Sequence, residues 1–90
     1  MIISELEWDD ANVEHIAWHG VSQKEVDEVC YGEHLSERET RNRYVLSGKS
    51  ENGRFVNVVI ERIGKGMFRP ITAFDMSERY KTMYRRRMGR

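Results

Sequence analysis

The sequence predicts an α+β fold, with helices packed against an antiparallel sheet, and three observations carry that reading. Two consecutive helix-start signals stand near the N-terminus, around Asp9 and Ser22. From Arg43 onward the pattern changes to short apolar runs separated by glycine-containing turns, as in a β-meander. The C-terminal stretch returns to helical spacing.

Taken in order, residues 2–8 read as a short strand. Asp9 then offers a carboxylate to the free amides of a helix running to about His19, with Trp8 and Val13 placed to form a hydrophobic staple. Val13, Ile16 and Ala17 give its apolar stripe, and Gly20 supplies a C-terminal stop. Ser22 and Glu25 form a capping box for a second helix, whose buried face is Val26, Val29 and Cys30 and whose end is Gly32. Residues 33–42 are charged and irregular, at most a weak edge strand. Arg43 to Ser50 reads as a strand, Glu51-Asn52-Gly53 as a tight turn, and Arg54 to Arg62 as the returning strand. The run Val58-Val59-Ile60 is apolar on both faces, which suits a central position. Gly64 and Gly66 bracket the next turn, and Met67 to Phe74 forms a further strand. Pro70 within it cannot donate to a ladder and implies a bulge or an unpaired position. Asp75 and Glu78 are expected to cap a final helix with Met76, Tyr80, Met83, Tyr84 and Met88 on one side.

A chain of 90 residues is expected to be one domain, spanning 1–90. No apolar run is long enough to span a bilayer, and the N-terminus lacks the basic start and apolar core of a signal peptide. The single cysteine, Cys30, cannot form an internal disulfide, and the expected location is the cytoplasm. The formal net charge of zero conceals a division. Residues 1–40 hold eleven acidic and two basic side chains, a net of −9, and residues 41–90 hold four acidic and thirteen basic ones, a net of +9. Such asymmetry is consistent either with a nucleic-acid-binding face or with two halves that neutralise each other in the fold.

Several residue groups are candidates for chemistry. Trp8, Asn12, His15 and His19 fall within one narrow stripe of the first helix, either as a functional face or as a packed face with hydrogen-bonded tips. His15 and His19 have the spacing of two metal ligands, yet a zinc site wants three or four, and Cys30 and His34 are the only further soft donors. No metal and no cofactor is therefore expected. Cys30 lies on an apolar stripe, where a free cysteine behaves as a small hydrophobe. In the basic half, strand alternation can send Arg43 and Arg69 to one face, and Phe55, Phe68, Tyr80 and Tyr84 are interleaved with the cations. That combination suits single-stranded RNA, whose phosphates attract cations and whose exposed bases stack on aromatic rings. Lys49, Arg54 and Arg87 are the expected RNA contacts; the run Arg85-Arg86-Arg87 also suits a solvated helix end.

Two blocks carry a family resemblance. The first is Trp8-Asp9-Asp10-Ala11-Asn12-Val13-Glu14-His15-Ile16-Ala17-Trp18-His19-Gly20-Val21-Ser22; the second is Arg69-Pro70-Ile71-Thr72-Ala73-Phe74-Asp75-Met76, with Tyr84 beyond it. Together they resemble the BrnT family, toxins of bacterial and archaeal toxin–antitoxin pairs whose fold is similar to that of the RelE-type ribonucleases. The resemblance extends over roughly Leu6 to Tyr84 and includes Asn12, His19 and Tyr84. It implies a RelE-like fold and a metal-independent ribonuclease that halts translation. It further implies a cognate antitoxin resembling a ribbon-helix-helix DNA-binding protein, so that DNA is met only through that partner, and no membrane is involved. Such a reaction needs a base for the 2′-hydroxyl, positive charge for the phosphorane and an acid for the leaving 5′-oxygen. The expected catalytic residues are Arg43 and Arg69 for charge and His19 or Tyr84 for proton transfer. One departure bears on activity: Phe74 and Asp75 stand where related chains often carry basic residues. A catalytically inactive module that docks an antitoxin or RNA is the alternative expectation.

Overall fold

The computed structural model describes residues 1–89 and has the element order β1 (Glu5–Leu6), α1 (Asp10–Trp18), α2 (Gln23–Tyr31), β2 (His34–Arg38), β3 (Arg43–Lys49), β4 (Phe55–Gly64), β5 (Met67–Asp75) and α3 (Glu78–Met88). The five strands form one mixed sheet in the order β1-β5-β4-β3-β2. Strands β2 to β5 are the expected antiparallel meander, and β1 joins its edge parallel to β5 through Glu5↔Met67 and Leu6↔Phe68. Among the described residues no helix is long and apolar enough to cross a membrane.

Local chemistry sets the helices. Asp9 Oδ1 accepts from the Asn12 amide at 2.8 Å, and Ser22 with Glu25 closes the capping box in both directions. Gly20 ends α1 at φ 73°, a left-handed conformation that glycine adopts without a Cβ clash. The final helix is capped by Ser77, whose Oγ accepts from the Tyr80 amide at 3.2 Å, and not by Asp75 as expected. Asp75 ends β5 and is engaged elsewhere, as described below.

Two further differences concern strands. The N-terminal strand is only Glu5–Leu6, because pairing extends no further than Ser4 to Glu7 against Gly66 and Phe68. Within residues 33–42, read as charged and irregular or at most a weak edge strand, His34–Arg38 form the edge strand and pair in full register with β3 from His34↔Gly48 to Arg38↔Tyr44. Pro70 sits where its missing amide does least harm. The register shifts between Val59↔Thr72 and Ile60↔Pro70, so Ile71 is the extra residue of a bulge.

Strand alternation divides the side chains between two faces. Tyr44 and Leu46 of β3, Val56, Val58 and Ile60 of β4, and Phe68 and Ala73 of β5 meet Ile16 of α1 and Val26, Val29 and Cys30 of α2 in the core. The approach is closest at Gly48, where a Cβ would stand 2.9 Å from Val29 Cγ1 and 3.3 Å from the Glu33 carbonyl oxygen. Arg43, Val45, Ser47 and Lys49 of β3 share the opposite face with Phe55, Asn57, Val59 and Glu61 of β4. Arg69, Thr72 and Phe74 of β5 complete that face. Helix α3 stands over one end of it on long side chains, with the Tyr84 and Phe55 rings edge to face at 5.9 Å.

Candidate RNA-binding face

The end of the sheet beyond α3 carries the charge cluster that β-register builds. Arg43 of β3, Glu61 of β4 and Arg69 of β5 are direct cross-strand neighbours in one row. Arg43 Nε lies 3.4 Å from Glu61 Oε2, and Arg69 Nη2 lies 3.9 Å from Glu61 Oε1. All three side chains are 32–43% exposed, so the row is open to a ligand. As a structural device it is weak, since solvated pairs of this kind contribute about 0–1 kcal/mol. Two guanidiniums against one carboxylate leave the row one positive charge in excess. Arg69 Nε is also buried without a hydrogen-bond partner among the described residues.

Next to this row the same face becomes apolar. Val45, Val59 and Phe74 line an open groove of about 500 Å³ that Tyr80 closes on the α3 side and Glu39 flanks. Its floor includes Asn57, buried and hydrogen-bonded at 2.6 Å to Ser47 Oγ. Phe74 is 38% exposed there, at the open end of β5 next to the exposed Asp75. Partial burial, helped by Glu37 and Glu39, raises the Tyr80 phenol above its ordinary value.

The structure thus brings Arg43 and Arg69 together and adds Glu61, which the sequence reading missed. A signal for it was present: counting outward from the Glu51-Asn52-Gly53 turn pairs Arg43 with Glu61. It does not bring His19 or Tyr84 to them. His19 caps α1 on the core-facing side of the sheet, next to Gly20, whose carbonyl accepts from Arg54. Tyr84 is buried to 3% against Phe55. Phe55 lies six residues before Glu61 on β4, on the order of 20 Å away at about 3.3 Å per residue. The observed contacts group neither residue with the arginine pair.

The expected RNA contacts divide similarly. Lys49 lies over the Phe55 ring at 5.4 Å, with Arg85 over the same ring at 4.9 Å, on the α3 end of the face. Arg87 reaches a small cavity with Leu35, Val45 and Met83. Arg54 faces the other way and is structural. Its Nε and Nη2 donate to Asp75 at 2.7 and 3.1 Å, and Nη1 donates to the Gly20 carbonyl at 2.6 Å and to Glu25 at 3.2 Å. This clamp ties the α1–α2 junction to the ends of β4 and β5. The hydrogen bond from Arg54 holds the Asp75 carboxyl below its ordinary value, and the Ser22 amide, with Arg54, lowers Glu25. The Asp75 charge is thus met by Arg54, although Asp75 also borders the groove that runs on from the Arg43–Arg69 row.

The first-helix stripe is split. Trp8 packs against the core and donates to Asp27 at 3.1 Å, whereas His15 and His19 are exposed with ring centroids 5.7 Å apart. Among the described residues no group of three or more His, Cys, Asp or Glu stands close enough to hold a metal ion. Burial in the core, with the Asp27 charge, pushes the Cys30 thiol up to about 12, so it is a packing residue rather than a nucleophile.

A mixed five-stranded sheet, with two helices on one face and a C-terminal helix over the other, is the α+β architecture of a known ribonuclease toxin. The chain is similar in structure to BrnT of Brucella abortus, a ribonuclease toxin solved at 1.1 Å, with a TM-score of 0.62 and 15% sequence identity over 82% of this chain and 97% of that one. No protein-family model and no curated protein sequence matches the chain.

Proposed function

We propose that this chain is a ribonuclease toxin of the BrnT type, which cleaves RNA without a metal, stops translation and is neutralised by a cognate antitoxin. The observation that carries the reading is the Arg43–Glu61–Arg69 row, set on the open face of a sheet with the fold of a ribonuclease toxin. The chemistry follows from the groups in the row. Glu61 takes the proton of a 2′-hydroxyl, whose oxygen attacks the adjacent phosphorus. Arg43 and Arg69 balance the charge of the phosphorane as the bond to the 5′-oxygen breaks. The products are a 2′,3′-cyclic phosphate and a 5′-hydroxyl that takes its proton from solvent. Lys49 and Arg85, farther along the face, hold flanking phosphates.

The test in cells is direct. Induction of the chain alone arrests growth, and co-expression of the product of the neighbouring gene restores it. Undisturbed growth with soluble protein accumulating contradicts the proposal. Growth arrest that survives Arg69→Ala would instead favour a binding module whose effect needs no cleavage.

A further inference from the structure

The apolar groove beside the arginine row has no part in the cleavage chemistry, and it has the composition of a base-binding site. We infer that Phe74 is a stacking platform for a nucleobase flanking the scissile phosphate, with Glu39 and Tyr80 reading its edge. The inference rests on the ribonuclease reading and adds to it the residue that selects where RNA lies.

Three observations support it. Phe74 keeps 38% of its surface exposed although its cross-strand partner Asn57 is buried, and it lines the groove. The groove continues the arginine row without a break, because Val59 and Glu61 are successive outward residues of β4. From the Glu61 row to the Phe74 row is four residues of β4, about 13 Å at 3.3 Å per residue, a span that a short stretch of extended single strand covers. The polar groups at the rim are complementary to a base and not to a phosphate. The Glu39 and Asp75 carboxylates in the lining repel phosphate; Asp75 is engaged by Arg54, Glu39 accepts from an exocyclic amine, and the Tyr80 hydroxyl donates to a ring nitrogen or carbonyl. A base bearing an amino group is thus favoured over uracil. Aromatic stacking supplies affinity that tolerates any base, and the rim supplies the preference.

The test uses short single-stranded oligonucleotides made uncleavable by 2′-deoxy substitution and carrying 2-aminopurine, whose fluorescence falls on stacking. Wild-type chain and Phe74→Tyr are expected to quench the probe. Phe74→Ala is expected to abolish quenching and weaken binding by about tenfold or more, the effect of losing one base–aromatic stack. Arg69→Ala is expected to weaken all oligonucleotides alike and to reduce the salt dependence. Binding and quenching by Phe74→Ala equal to wild type would overturn the inference while leaving the ribonuclease reading standing. A wild-type chain that neither binds nor cleaves RNA would overturn both. Unchanged RNA affinity with lost binding of the neighbouring gene's product would assign Phe74 to a protein interface and overturn the stacking role.

Discussion

Arg69 and Glu61 face each other across adjacent strands with Nη2 3.9 Å from Oε1, while Arg69 Nε is buried with no hydrogen-bond partner among the described residues. Arg43 approaches the same carboxylate from the other side at 3.4 Å. The row is poor as a stabilising device and well suited to a phosphate, whose oxygens can take over the guanidinium donors that Glu61 engages only in part. Replacing Arg43 by Lys keeps the charge and loses the planar fork, so cleavage should fall by about tenfold or more while the thermal midpoint is nearly unchanged. Single-turnover kinetics beside a melting curve check this.

His19 and Tyr84 lie away from that row, on the core-facing side of the sheet and under α3 respectively. His19→Ala and Tyr84→Phe should each leave kcat/KM within about threefold of wild type, a change below about 1 kcal/mol in barrier. A loss of several hundredfold in either variant would move the reacting centre off the arginine row.

The Arg54 clamp gives stability a defined pH dependence. The carboxyls of Asp75 and Glu25 are held below their ordinary values of 3.8 and 4.5. Groups with depressed folded-state values contribute stability that is present above those ordinary values and is lost as pH falls through the folded ones. Asp75 is 60% exposed, which limits its share. Arg54→Met should cost about 1–2 kcal/mol at neutral pH and flatten the acid limb of stability. Urea titrations at several pH values below 5 compare the two slopes. A parallel shift of the whole curve would show that the clamp is packing rather than charge.

Gly48 should tolerate no side chain. A Cβ placed 2.9 Å from Val29 Cγ1 forces α2 away from β3, and Gly48→Ala should destabilise by about 1–3 kcal/mol. Thermal unfolding measures it, and a neutral substitution would mean that α2 is more loosely seated than the structure has it.

Cys30 should ignore thiol reagents in the native state, since it is 1% exposed and its thiol is pushed up to about 12. Ellman's reagent should react fully only in denaturant. Rapid native labelling would require local opening of α2.

The helices were legible in the sequence because their signals are local. Asp9, Ser22 with Glu25, and Gly20 act within one turn of the backbone they cap. The central strand was legible from Val58-Val59-Ile60, a β-branched apolar run bounded by turn signals, which suits a strand buried on both faces. What was only partly legible depends on distant pairing. Residues 34–38 are charged and take their strand state from β3, and β1 takes its two paired positions from β5. Asp75 has the composition of a helix cap, yet Arg54, just before β4, claims it, leaving Ser77 to cap α3. The candidate site divides the same way. Alternation sufficed to join Arg43 and Arg69, but Glu61 between them needs the register of three strands. His19 and Tyr84 entered through resemblance of motif, which carries no information on sheet face.

The most direct test is to incubate the purified, partner-free chain with mixed RNA in EDTA and to analyse the fragment ends, beside Glu61→Gln and Arg69→Ala. Fragments ending in 2′,3′-cyclic phosphates, reduced about a hundredfold or more in both variants, are the predicted result. Cleavage that persists undiminished in both variants, or RNA left intact by wild type both free and in a translating extract, would contradict the assignment of a ribonuclease centre to the Arg43–Glu61–Arg69 row.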